Sequence, residues 1–197
     1  MAKLITFPKS YIFVAGHDVY RTFISKYTSS LPVNGNNIAY MKTPENLMDH
    51  CYPKDVVDYY REHIEVYSKE AAKVTLLESP LISSLVNMFR RYQKHKHVSQ
   101  KDFDYLYKKS IKYIKESIDM DSIFYIYLRY YTSDPRDVGR GIDTITNKIL
   151  NSERFHYRSI YSREEERRIE RFDRLITCRL EEVVRLGKFN EIINKKD

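Results

Sequence analysis

Nine lysines and arginines crowd residues 90–116, RRYQKHKHVSQKDFDYLYKKSIKYIKE, against three acids, a local charge of +6. They are Arg90, Arg91, Lys94, Lys96, Lys101, Lys108, Lys109, Lys112 and Lys115, and the whole chain carries only +7. Cations gathered in one segment raise a local positive potential, which is how a protein attracts a polyanion. Tyr92, Tyr105 and Tyr113 stand among them, and an aromatic face stacks on unpaired bases. The chemistry these types suggest is capture of nucleic acid, with phosphates held by cations and bases or sugars held by tyrosines. A simpler account competes with it. Cations at a helix C-terminus are favoured by the macrodipole by roughly 0.3–1 kcal/mol each without any ligand, and a lysine-rich face is often merely solvated. Tyr60, Tyr67 and Tyr107 fall on apolar stripes and read as core residues with the hydroxyl at the rim.

Other chemistry finds little support. His95-Lys96-His97 and His50-Cys51 are the histidine and cysteine clusters, and neither has the ligand number or spacing of a zinc site. No P-loop, GxGxxG, GxSxG or HExxH pattern occurs. His17 follows Gly16 at the end of an apolar run but has no partner nearby in sequence. Asp55, Asp58, Glu62 and Glu65 share one helix and read as its solvated face. No catalytic residue, metal or cofactor is expected, and the chain reads as a non-enzyme.

The elements that must position the basic stretch are mostly helical in this reading. KLITF (3–7) and SYIFVA (10–15) suggest two short strands around Pro8, and NIAYMK another. Helix spacing follows from Asp18 to Ser29. After Pro53 the residues Val57, Tyr60, Ile64, Tyr67, Ala71 and Val74 recur at steps of three and four, one stripe of a long helix. Ser79-Pro80 and Asp134-Pro135 open helices, as do the capping pairs Ser99/Asp102 and Ser162/Glu165. These predict helices over about 80–94, 100–118, 135–151 and 163–186. SIFYIYLRYYT (122–132) is apolar nearly all round and is read as a buried helix. Five Gly and six Pro are too few for a sandwich or barrel. The expected fold is therefore mainly α, a compact multi-helix bundle with a short N-terminal β hairpin or strand pair. Its expected lobes are 1–133 and 134–197. Two distant cysteines, Cys51 and Cys178, and the lack of a ~20-residue apolar run suggest a reducing, cytoplasmic setting with no membrane partner. Heavy use of Lys, Ile and Tyr suits an AT-rich genome such as a phage's or virus's.

Over its first third the chain resembles the helicase-loader proteins of tailed myophages. The likeness is carried by Lys3-Leu4 before Pro8, Val19-Tyr20, Ile38 and Tyr40, Tyr52, Lys54 and the pair Tyr59-Tyr60. It departs from that family where Val56 and Val57 stand in place of basic residues. The resemblance implies a two-lobed helical protein that binds single-stranded or forked DNA. It also implies contact with a single-strand-binding protein, delivery of a replicative helicase, and no reaction catalysed. The expected function is thus a nucleic-acid-binding accessory protein of phage or viral replication. The alternative is a viral structural or host-interaction protein working through the C-terminal helix and the Tyr-rich segment 122–131.

Overall fold

Three segments are apolar on both sides of the pleat: Tyr11–Gly16 (β1), Val74–Glu78 (β3) and Tyr125–Leu128 (β4). Strands of that composition are stable only with both faces covered, which is the setting of a parallel sheet between helical layers. The computed structural model has that architecture. It describes residues 4–16, 23–24, 26–27, 38–44, 47, 52–67, 74–94, 97–130, 134 and 136–194. With Ile38–Met41 (β2) and Tyr157–Ile160 (β5), the strands form one sheet in the order β2-β3-β1-β4-β5, and every pairing is parallel. The edge strands β2 and β5 are the less buried ones, as their position requires.

Side-chain alternation along each strand divides the core in two. Tyr11, Phe13, Leu77, Tyr125 and Tyr127 face one layer. Against them pack Pro53–Tyr67 (α1), Pro80–Lys94 (α2), Gln100–Ser117 (α3) and Val138–Ser152 (α4), through Val56, Val57, Leu81, Leu85, Ile111, Ile114, Ile149 and Leu150. Ile12, Val14, Leu76, Ile126 and Leu128 face the other layer, where Phe23, Ile24 and Tyr27 meet Phe172 and Ile176 of Glu165–Asn194 (α5). Phe172 sits edge-on to Phe23 at 5.3 Å and to Tyr27 at 4.8 Å.

The layers follow from crossover handedness. Parallel connections are right-handed in nearly all proteins. The connections β2 to β3, β3 to β4 and β4 to β5 move across the sheet in one direction and share one face. The connection β1 to β2 moves the opposite way, and its residues Phe23, Ile24 and Tyr27 lie on the opposite face. Neighbouring strands β1 and β4 are therefore followed by connections on opposite faces of the sheet.

The expected multi-helix bundle is corrected by this sheet. β1 and β2 fall where strands were expected, but they belong to a five-stranded α/β core. The helical stripe assigned to 57–74 breaks: α1 ends at Tyr67, and Val74 begins β3. The segment read as a buried helix at 122–132 holds β4. Of the strand expected at 3–7, Ile5 alone among the described residues pairs, in an isolated parallel bridge to Ile118. β4 and β5, on either side of the expected lobe boundary, are direct sheet neighbours.

Candidate nucleic-acid interface

α3 carries most of the basic stretch, and its ends are set locally. The Ser99 hydroxyl accepts from the Asp102 amide at 3.1 Å and donates to the Asp102 carboxylate at 2.7 Å, satisfying a free amide of the first turn. The Ile118 amide closes the last turn on the Ile114 carbonyl at 2.9 Å. Phe103, Ile111, Ile114 and Ser117 are buried. Lys101, Tyr105, Lys108, Lys112 and Lys115 step by four, three, four and three residues, which aligns them on the opposite, exposed side. At 1.5 Å per residue that line runs about 21 Å. Lys109 is exposed beside it.

The cations differ in what holds them. Lys101, Lys108 and Lys109, and Arg90 and Lys94 on α2, have no acidic partner among the described residues. Lys112 meets its own helix's Glu116 at 3.7 Å, both ends exposed. Such pairs contribute about 0.3–0.5 kcal/mol and yield easily to a competing anion. Lys115 is tied at 3.2 Å to Glu153, whose side chain is only 15% exposed. Arg91 lies over the Tyr52 ring at 5.5 Å. Lys96 lies outside the described residues.

The three tyrosines separate likewise. Tyr92 stacks on Phe103 at 4.4 Å and donates to Gln100 at 2.7 Å, so its ring fastens the end of α2 to the start of α3. The Tyr113 hydroxyl donates to Asp58 on α1 at 3.2 Å. Tyr105 is 65% exposed, within the lysine line, and is the aromatic face open to a ligand.

Beside the line, Tyr107, Lys108, Ile111, Lys112, Lys115, Glu116 and Glu153 border an open groove of about 370 Å³. Its wall is largely apolar and its rim is charged. Burial and then the adjacent Glu153 charge raise the Tyr107 hydroxyl well above its ordinary pKa, so it stays a donor.

A second constellation, at the C-terminal ends of the strands, escaped the sequence reading. Glu78, 3% exposed, ends β3 and accepts from the Tyr40 hydroxyl and the Thr43 amide, both at 2.8 Å. Asp143 on α4 accepts from the Tyr127 hydroxyl and, at 3.0 Å, from the Tyr130 amide. Burial and then the Asp143 bond raise the pKa of Tyr127, holding it as a donor. Arg129, just past β4, reaches Asp143 at 3.5 Å and lies over Tyr161 at 5.3 Å, while its Nε is buried with no hydrogen-bond partner. The available signal was a charged residue closing each apolar run, VTLLE and IFYIYLR.

Among the described residues no group of three His, Cys, Asp or Glu is placed to hold a metal ion. Among the same residues no helix is long and apolar enough to cross a membrane. Compared with known proteins, the chain matches no family model, no curated protein and no solved structure.

Proposed function

We propose that the protein is a non-enzymatic nucleic-acid-binding accessory factor that takes hold of single-stranded or forked DNA along the exposed face of α3. The observation that carries this reading is the single exposed line of Lys101, Tyr105, Lys108, Lys112 and Lys115. Arg90 and Lys94 add charge on α2, and Lys109 flanks the line. Each phosphate bound releases condensed counterions, so affinity falls with salt. Tyr105 adds stacking on a base, about 1–3 kcal/mol. Tyr92 and Tyr113, engaged in packing and a hydrogen bond, position α3. A replication role beside a helicase or a single-strand-binding protein is the setting the N-terminal likeness suggests. Titration with single-stranded, duplex and forked DNA at rising salt tests it. Tighter binding to the single strand and fork, weakening steadily with salt, supports the reading. Absent or salt-insensitive binding removes it.

A second reading has its own observation. In open parallel sheets, ligands settle outside the strand C-termini where neighbouring crossovers diverge, and here that point lies between Gly16 of β1 and Arg129 after β4. Arg129 and Asp143 pair beside that edge. A small phosphate-bearing ligand there would engage the Arg129 guanidinium, whose side chain is 38% exposed. Thermal shift with pyrophosphate, against an Arg129→Gln variant, distinguishes it: stabilisation of the wild type alone supports this site, and no stabilisation of either rejects it.

A further inference from the structure

The groove beside the lysine line has an unusual distribution of charge. Its rim carries Lys108, Lys112 and Lys115, while Glu116 and Glu153 border the same space. Glu153 is mostly buried and held to Lys115 at 3.2 Å. Carboxylates there repel a phosphate, so a phosphate stays at the rim. The wall of Tyr107 and Ile111 is apolar and suits a flat, uncharged ring. A volume of about 370 Å³ falls at the small end of ligand-holding clefts, roughly 300–1,000 Å³. The occupant that satisfies rim, wall and carboxylates together has an anionic backbone, an aromatic face and N–H donors on one edge.

We propose that this groove receives an unpaired base of a bound single strand, and that Glu116 and Glu153 favour bases with an exocyclic amino group, cytosine above thymine. It rests on the reading of α3 as the phosphate-binding face. The cytosine amino group donates to a carboxylate, whereas thymine presents a carbonyl oxygen at the same position. Glu116 is engaged by Lys112 and Glu153 by Lys115 and the Tyr107 hydroxyl, but a carboxylate has about four lone-pair sites, so each keeps an acceptor for the base. Duplex keeps its bases stacked and paired, and leaves the apolar wall unused.

The experiment uses the full chain and labelled oligomers of equal length: oligo-dC, oligo-dT, an abasic phosphodiester and a duplex, read by fluorescence anisotropy at fixed salt. The expected order is oligo-dC tightest, oligo-dT about three- to tenfold weaker, as one partly solvated hydrogen bond to a charged group allows, and the abasic strand weaker still. Glu153→Gln and Glu116→Gln are expected to shrink the dC/dT ratio toward one while keeping or raising affinity for the abasic strand. That pattern separates base recognition from a merely structural role. If Glu153→Gln fails to fold by circular dichroism, Glu116→Gln, at a 63% exposed side chain, carries the test. An abasic strand binding as tightly as oligo-dC, or equal affinity for oligo-dC and oligo-dT, overturns the base pocket and leaves the lysine line standing. No binding to any strand overturns both.

Discussion

Replacing Lys101 and Lys108 by alanine tests the lysine line without disturbing what holds α3. Both side chains are exposed, on the face opposite Phe103, Ile111 and Ile114, and neither has an acidic partner among the described residues. Alanine is the best helix former, so stability is expected to change by no more than ~0.5 kcal/mol. Lys115 is unsuitable for this purpose, because its loss strands the mostly buried Glu153 carboxylate. Four cations of α3 are free or weakly held: Lys101, Lys108, Lys109 and Lys112. If each meets one phosphate of a single strand, log K falls with log salt at a slope of about −2.8, from about −0.7 per contact. Raising salt from 50 to 200 mM then weakens binding roughly 50-fold. The double variant keeps two contacts, a slope of about −1.4 and a roughly sevenfold loss over the same range. The assay is fluorescence anisotropy with a labelled single strand at four or five salt concentrations, with circular dichroism to verify helicity. A double variant whose slope equals the wild type's refutes the assignment of these lysines to phosphates.

Further expectations concern the frame and its charge. Phe172→Ala empties a ring site bounded by Phe23 and Tyr27 and is expected to cost about 3–5 kcal/mol, lowering the Tm by roughly 6–20 °C in thermal denaturation. Gly139→Ala places a Cβ 2.5 Å from the Tyr130 ring. The ring must shift, weakening the Tyr130 hydroxyl bond to Asp137 at 3.0 Å, so chemical denaturation should show a loss of about 1–3 kcal/mol. Partial desolvation pushes the Glu182 pKa up, but Arg179 at 2.7 Å and Lys9 at 3.4 Å outweigh it, and the carboxyl sits below its ordinary value of 4.5. A depressed pKa stabilises the fold above the unfolded-state value and ceases to do so as pH falls through the folded-state value. The stability gap between wild type and Glu182→Gln should therefore be constant near neutrality and close in acid below pH 4.5. It should stay within about 1 kcal/mol for a partly exposed pair.

The helices were largely legible and the sheet was not, for one physical reason. Helix starts are written in local chemistry: Ser99 with Asp102 caps α3 as its spacing suggests, and the long mixed-charge helix follows Ser162. β3 and β4 are buried on both faces, so they lack the period-two alternation that marks a half-buried strand. Val74 continued the three-and-four step of α1 by coincidence, and YIYL sat in an apolar run compatible with either structure. Scarcity of Gly and Pro argues against hairpin-rich β folds, but crossover-linked parallel strands need few tight turns, so it does not separate a helical bundle from a parallel sheet. The candidate site was half legible. The charge of α3 and its exposed face follow from spacing alone. That Tyr92 would stack on Phe103, that Tyr113 would reach Asp58, and that Glu153 would tie down Lys115 depends on how one helix packs on another. Glu78 meets Tyr40 through the pairing of β2 with β3, and Arg129 meets Asp143 through the packing of α4 beside β4, neither of which a local pattern encodes.

Lysine acetylation footprinting, with and without a saturating single-stranded oligonucleotide, addresses the central claim most directly. Lys101, Lys108, Lys109 and Lys112 are expected to be protected by the strand. Lys26, paired with Glu165 at 2.9 Å on the α5 side of the sheet, is expected to react equally in both samples. Protection of Lys26 with α3 left reactive, or no protection at any lysine, contradicts the account.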